Sequence, residues 1–364
     1  MTDHRFSTVI LGAGLMGRLL ALALARSGHH VELHEAGLPD GVGSAARAAA
    51  AMLAPLAESA ITQSCVVRMG VHGLKRWPEL IAQLDQPIFF QQNGTLVVWH
   101  RQDAAEALHF KRQLLATAEA LPDLPTAVLV DAAGISALEP ALGARFAQGL
   151  YLPEEGQLDN RQLLDALLHQ LQIMKVDLRW RSPRSPDEFQ PGESGQPDWL
   201  FDCRGLGAKH QLADLRGVRG EVVRVHAPEV TLLRPVRLLH PRYPLYIAPK
   251  QDHVFVIGAT EIETEDMSPA SVRSALELLG AAYAVHPGFA EARIMEIAAQ
   301  CRPALLNNLP VVSRTGERSM QINGLYRHGF LIAPALLDVV MQIVQTGTSE
   351  LALGFGLAPA PVPA

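Results

Sequence analysis

Ser7-Thr8-Val9-Ile10-Leu11-Gly12-Ala13-Gly14-Leu15-Met16-Gly17 decides the fold class of this chain. The first five residues are β-branched or apolar and read as a buried strand. Gly12, Gly14 and Gly17 follow at the spacing of a dinucleotide turn. The first permits a tight turn, the second a close backbone approach to a pyrophosphate, and the third close helix–strand packing. Good helix formers continue from Arg18 to Arg26, and Ser27-Gly28 closes that helix with a left-handed cap. Val31 to His34 reads as the next strand, with Glu35 at its carboxyl end. Glu35 can accept hydrogen bonds from an adenosine ribose and would repel a 2′-phosphate. The whole unit is a βαβ opening, and its competitor is a glycine-rich structural turn.

Outward from that unit, the alanine-rich run Ala45 to Ala54 offers small side chains against which a cofactor can lie, or else a well-packed helix. A helix is expected over 66–84, paired strands around Asn93-Gly94 within 87–99, and helices over 103–120 and 160–171. Arg181 to Asp198 is rich in proline and charge and reads as an exposed loop. Strands are expected at 199–202, 221–225, 245–248 and 254–257. Ser268-Pro269 reads as the cap and first turn of a helix through Ala284. A last helix is expected from Pro334 to Gln345, stopping at Gly347, and the proline-rich tail Ala358 to Ala364 reads as frayed. A simple NAD dehydrogenase would continue with more βα units. Here other material intervenes, and strand plus glycine return only at Phe201-Asp202-Cys203-Arg204-Gly205-Leu206-Gly207.

Composition bounds the function. The chain has 364 residues, long for one core, so two domains are expected. Net charge is −6, which gives no reason to expect a nucleic-acid partner. The arginines between Arg216 and Arg242 are expected to be mostly solvated strand edges. Cys65, Cys203 and Cys301 form no CxxC pair, which argues against a disulfide framework and fits a reducing cytoplasm. No signal peptide and no uninterrupted apolar run of membrane-spanning length is read, so a soluble chain is expected. The 14 histidines show no HExxH or HxxxH spacing, so no metal site is expected, and no GxSxG elbow occurs.

These residues resemble the flavin amine oxidases of the D-amino-acid oxidase superfamily, specifically bacterial glycine oxidases of the thiamine pathway, over nearly the whole chain. The resemblance is carried by Gly12 to Gly17 with Glu35, Ala49 to Pro55 with Glu58, and Glu155-Gly156 with Asp159. It continues through Asp202 to Ala208, Arg219-Gly220-Glu221, Tyr246 to Pro249, Ile257 to Thr260, Arg302-Pro303 and, most specifically, Gly324 to Ala335. It implies an α/β fold, with a Rossmann-like FAD-binding domain of GR2-type and an α+β substrate domain built on an antiparallel sheet. Residues 1–75, 150–215 and 320–364 would form the first, and 76–149 and 216–319 the second.

The resemblance further implies non-covalent FAD. Gly12, Ala13, Gly14, Leu15, Met16 and Gly17 would form the pyrophosphate turn, and Glu35 and Ala36 would meet the ribose. Ala45, Ala46, Ala50, Ala51 and Met52 would lie along the flavin. Arg184 would frame the adenine, Gly205 would lie at the second glycine signature, and Leu325, Tyr326, Arg327, His328, Gly329, Phe330 and Leu331 would meet the isoalloxazine edge. The implied substrate residues are Arg302, pairing bidentately with a carboxylate, Tyr246, donating to the same carboxylate, and Arg327 beside the flavin. A surface ion pair is the competing role for each arginine. The implied reaction moves a hydride from the α-carbon of a small amino acid to flavin, with no obligatory side-chain base, and oxygen then yields hydrogen peroxide. Cys301 lacks the setting of a covalent flavin link. Oxidation of another D-amino acid or an N-methyl amino acid, with a quinone as possible acceptor, is one alternative, and a flavin-binding protein without turnover is another. Relatives are often homo-oligomers. Ala51 stands where the family often has glycine, Leu306 to Leu309 where it often has an acid, and Leu336 where it often has threonine. The loop at 181–198 replaces a small sheet of related enzymes.

Overall fold

A computed structural model describes residues 5–122, 124–240 and 245–357. The tail at 358–364, expected to fray, lies outside the described residues.

Two large sheets carry the molecule. The first has six strands in the order Val311–Gly316, Ser319–Asn323, Trp199–Asp202, Ser7–Leu11, His30–His34 and Asp177–Arg179. All its pairings are parallel except Val311–Gly316 against Ser319–Asn323. Parallel strands need crossovers, and the helix Leu15–Arg26 supplies the one between Ser7–Leu11 and His30–His34. Its core is continuous through Ile10, Leu20, Leu33, Phe201 and Leu336.

The second sheet has eight strands in the order Arg293–Ala304, Arg216–His226, Val254–Gly258, Leu245–Pro249, Val236–Leu238, Thr95–Val98, Gln148–Leu152 and Val128–Asp131. It is antiparallel except where Val236–Leu238 runs parallel to Thr95–Val98. One face packs Val223, Val225, Ile247, Phe255 and Ile257 against the helix Val272–Val285. A third, small sheet joins Met52–Leu53, Gly156–Leu158 and Phe90–Gln91. Val311–Gly316 pairs in the first sheet, and Gln148–Leu152 in the second.

Several expectations change. The strands flanking Asn93-Gly94 do not pair with each other, since Phe90–Gln91 joins the small sheet and Thr95–Val98 the large one. The helix expected from Ser268 begins at Val272, capped by Ser271, whose hydroxyl accepts from the Ser274 amide. Ser268 is instead held in a turn by Asp266. The 12-residue strand Arg293–Ala304 has no clean alternation and contains Pro303, which a sheet edge tolerates.

The helix expected from Pro334 starts at Gly329, and a further short helix, Glu350–Phe355, follows it. Proline inside a helix leaves the carbonyl four residues back without its donor. Here that carbonyl, on Phe330, accepts from the Trp77 indole at 2.8 Å, so the helix runs on to the left-handed Gly347 cap. The stretch 326–346 is long and apolar enough to cross a membrane by length and composition, but most of it is buried inside the fold.

Most of the arginines of 216–242 are not solvated edges; Arg216, paired with the exposed Glu263, is the exception among the described residues. Arg219 and Arg237 are buried, and Arg224 and Arg234 nearly so, because each meets an internal carboxylate: Glu221, Glu58, Asp159 and Glu139 respectively. Arg242 lies outside the described residues.

Candidate active site

A single cavity of about 750 Å³ runs between the two large sheets, from the glycine turn to the cavity-facing side of the antiparallel sheet. At one end, Gly12 has φ 94°, and a methyl there would lie 2.7 Å from the Cys203 carbonyl oxygen. Gly17 does not line the cavity: a methyl on it would collide with the Gly12 carbonyl, so it serves the helix–strand contact. Gly14 caps the first helix without any side-chain bond, which leaves amides of the first turn facing the cavity. Uncapped N–H groups and the helix dipole together favour an anion. Arg18, fully buried, braces the turn by donating to the carbonyls of Ala13, Leu164 and Pro39. Glu35 accepts from the Ala13 and Gly37 amides, and both its oxygens keep a lone pair for a further donor.

The middle wall is made of small residues. Ala45 to Ala48 form one helical turn, capped by Ser44, and Met52–Leu53 is already strand, so the alanine run is not one helix. Between them the chain bends through Ala51, which has φ 53°. This left-handed position explains why glycine is common there in the family that the sequence resembles. Lys250 holds the bend from behind. Its ammonium donates to the carbonyls of Ala50 and Leu158 and to Gln157 Oε1, at 2.7–3.1 Å. Burial lowers the Lys250 pKa to about 7. Opposite, the helix at Gly329 also begins without a side-chain cap, and Leu325 to Leu331 line the cavity.

The far end is a face of the antiparallel sheet. Side chains alternate along a strand, so residues at matching registers share a face. Val222 pairs with Gly258, Gly258 with Tyr246, and Tyr246 with Arg237, while Arg302 comes from the edge strand. Val222, Tyr246, Arg237 and Arg302 all line the cavity. Gly220 makes room for Arg302, since a methyl at Gly220 would sit inside its guanidinium. Arg302 donates only to backbone, Thr260 O at 3.2 Å and Arg219 O at 3.5 Å, and forms no ion pair with a carboxylate among the described residues. Burial raises the Tyr246 pKa above the ordinary phenol value, so its hydroxyl stays protonated at neutral pH.

Arg327 is different. Its guanidinium lies 2.9 Å from Glu261 and 3.1 Å from Glu58, and Glu58 also takes Arg237 at 2.9 Å. Burial alone would raise the Glu58 pKa, yet Arg327 and Arg237 hold it well below the usual carboxylate range. Burial lowers the His328 pKa to about 4 despite Glu58 nearby, so that imidazole is neutral.

The structure thus gathers the expected Gly12, Ala13, Gly14, Leu15, Met16, Glu35 and Ala36 at one end of the cavity. It brings Ala45, Ala46, Ala50, Ala51, Met52 and Gly205, with Leu325, Tyr326, His328, Gly329, Phe330 and Leu331, to its walls, and Tyr246, Arg302 and Arg327 to the other end. Arg184 stands outside the cavity lining: it is exposed on its loop, paired with Glu188. Arg237, Glu261 and Lys250 were not legible as site residues. Each depends on a contact between segments far apart in sequence. Glu58 sits within a quoted motif, but its role appears only once two arginines converge on it.

The cavity fits FAD. It offers uncapped amides at the glycine turn, a carboxylate, Glu35, beside them, a wall of small side chains, and a second uncapped helix start. The FAD dependent oxidoreductase family matches residues 7–340. The thiamine biosynthesis oxidoreductase ThiO of Rhizobium etli is 40% identical over 338 residues, covering 93% of this chain and 96% of that protein. The glycine oxidase of Geobacillus kaustophilus is 25% identical over 98% of this chain and 96% of its own. Its crystal structure superposes with a TM-score of 0.79 at 23% identity, covering 98% of this chain and 99% of that one. The iminodiacetate oxidase of Chelativorans sp. BNC1 also gives 0.79, at 22% identity, over 98% of this chain and 100% of that one.

Proposed function

Because the chain belongs to the family of FAD dependent oxidoreductases, we propose that it oxidises the α-carbon of a small amino acid, glycine foremost, to the imino acid. Oxygen takes the two electrons and two protons and leaves as hydrogen peroxide, and the imino acid feeds thiazole formation for thiamine. The observation that carries this reading is Arg302: a planar guanidinium facing the cavity, supported by Gly220 and met only by carbonyls. A fork of donors in that state matches a carboxylate and fixes its angle.

When bound, FAD supplies the two-electron acceptor that the side chains lack. The residues of this chain bind and orient. Gly12 to Met16 would hold the pyrophosphate, Glu35 the ribose, and the Ala50–Met52 bend and Leu325 to Leu331 the ring. Arg302 would fix the substrate carboxylate, and the protonated Tyr246 would donate to it. Such placement supplies a large part of a rate enhancement without a general base. The Cys301 thiol is turned to the Thr264 and Asp266 carbonyls, which favours non-covalent FAD. The three cysteines are free thiols, which fits a reducing cytoplasm.

A panel of glycine, sarcosine, D-alanine and D-proline on purified protein, with peroxide as readout, tests the proposal. Glycine giving peroxide supports it. Dye reduction without peroxide would shift the acceptor away from oxygen, and no turnover with any of the four would refute it.

A further inference from the structure

Three guanidiniums, those of Arg237, Arg302 and Arg327, line the substrate end of the cavity. Two carboxylates, Glu58 and Glu261, line the same end and bind two of the three. Among the described residues, Tyr246 and Tyr326 have pKa values raised by burial, and His328 is neutral, so none of them alters the count. One positive charge is left, on Arg302, and it matches one carboxylate. Arg327 stands close by with two donor edges, but Glu58 fills one and Glu261 the other.

The two acids are not equivalent. Glu58 is buried and shared with Arg237, so it belongs to the frame of the site. Glu261 has a side chain 45% exposed, comes from the segment just after the Val254–Gly258 strand, and reaches Arg327 at 2.9 Å. It occupies the one guanidinium edge that a second substrate carboxylate could take. Resting on the reading of the site as an amino-acid oxidase, we propose that Glu261 is a specificity residue that restricts this site to substrates with a single carboxylate. It does so by occupying Arg327 and by repelling a second anion. Specificity built from an occupied partner and a like charge is rejection, not tighter binding of the preferred substrate.

Sarcosine and iminodiacetate isolate the effect, since both are N-substituted glycines and differ in whether the substituent carries a carboxylate. We expect the FAD-loaded wild-type protein to prefer sarcosine by on the order of a hundredfold in kcat/KM. Glu261→Gln should shrink that preference by about tenfold or more. Glu263→Gln, which removes a neighbouring exposed glutamate paired with Arg216, should leave it where it was. An unchanged sarcosine-to-iminodiacetate ratio in E261Q, or an equal shift in E263Q, would overturn the proposal. So would a wild-type protein that takes both substrates alike. Binding of the two ligands, read from the flavin difference spectrum, keeps the test independent of turnover. A shifted binding ratio in E261Q without any peroxide would sink the oxidase reading and leave the role of Glu261 standing.

Discussion

Arg302 reaches the cavity from an edge strand and finds only carbonyl oxygens, Thr260 and Arg219, within hydrogen-bond range. Replacing it with lysine keeps the charge but loses the fork, and hydrogen bonds to charged groups contribute about 1.5–3 kcal/mol each. Arg302→Lys should therefore lower kcat/KM for glycine roughly 10- to 100-fold, mainly through KM. An unchanged KM would remove Arg302 from the carboxylate site. Tyr246 keeps its proton at neutral pH, so it can donate to a carboxylate but is a poor base. Tyr246→Phe should raise KM more than it lowers kcat; a steep loss of kcat with binding and flavin spectrum intact would restore a base role. At this scale, residues in local motifs were legible: the glycines announce a turn, and Arg302-Pro303 stands in a recognisable setting. Arg237 and Glu261 were not, because each acquires its role from a partner in a distant segment, Glu58 or Arg327. Arg184 falls outside the cavity lining, a placement that loop sequence does not specify.

The bend at Ala50–Met52 shows the same at the scale of an element. Alanine-rich sequence carries high helix propensity, yet only Ala45 to Ala48 are helical. Pairing of Met52–Leu53 with Gly156–Leu158 and the three Lys250 bonds draw the rest out of the helix. Ala51 then stands at φ 53°, where a non-glycine residue is strained by roughly 1–2 kcal/mol and a β-branched one more. Ala51→Val should weaken FAD binding by at least about tenfold in a fluorescence-quenching titration, and Ala51→Gly should not weaken it. Equal affinity in both variants would show that the bend does not shape the cofactor wall. The βαβ opening was legible almost to the residue because its signals are local: a five-residue strand, glycines at fixed spacing, and a capped helix. The edge strand Arg293–Ala304 was missed because only its pairing with Arg216–His226 makes it a strand.

Across the whole molecule, a cluster of buried charge forms where the antiparallel sheet meets the helix Pro55–Glu58 and the small sheet. Glu155 lies in it, almost fully buried, accepting from the Ala57 amide at 2.6 Å. Burial raises its pKa to about 7, against the opposing pull of Arg237. Between its ordinary pKa and about 7, the unfolded chain gives up this proton and the folded chain keeps it, so folding loses stability as pH rises through that window. The loss is on the order of 3 kcal/mol once pH exceeds 7. Glu155→Gln should therefore gain stability relative to wild type from pH 4.5 to pH 7 in denaturant melts, and the gain should then level off. A pH-independent difference would place the shift elsewhere. The pairing within this cluster is not legible in sequence, since Glu58, Glu155 and Arg237 come from segments far apart in the chain and meet only in the fold.

Whether one cavity holds both the cofactor and the substrate is decided most directly by an anaerobic titration of the purified protein with glycine, followed by flavin absorbance. The account predicts a yellow protein with one FAD per chain, whose oxidised-flavin absorbance bleaches with glycine in wild type and far less readily in Arg302→Lys. A colourless chain that neither retains nor takes up FAD would contradict it, as would a flavin that glycine leaves oxidised.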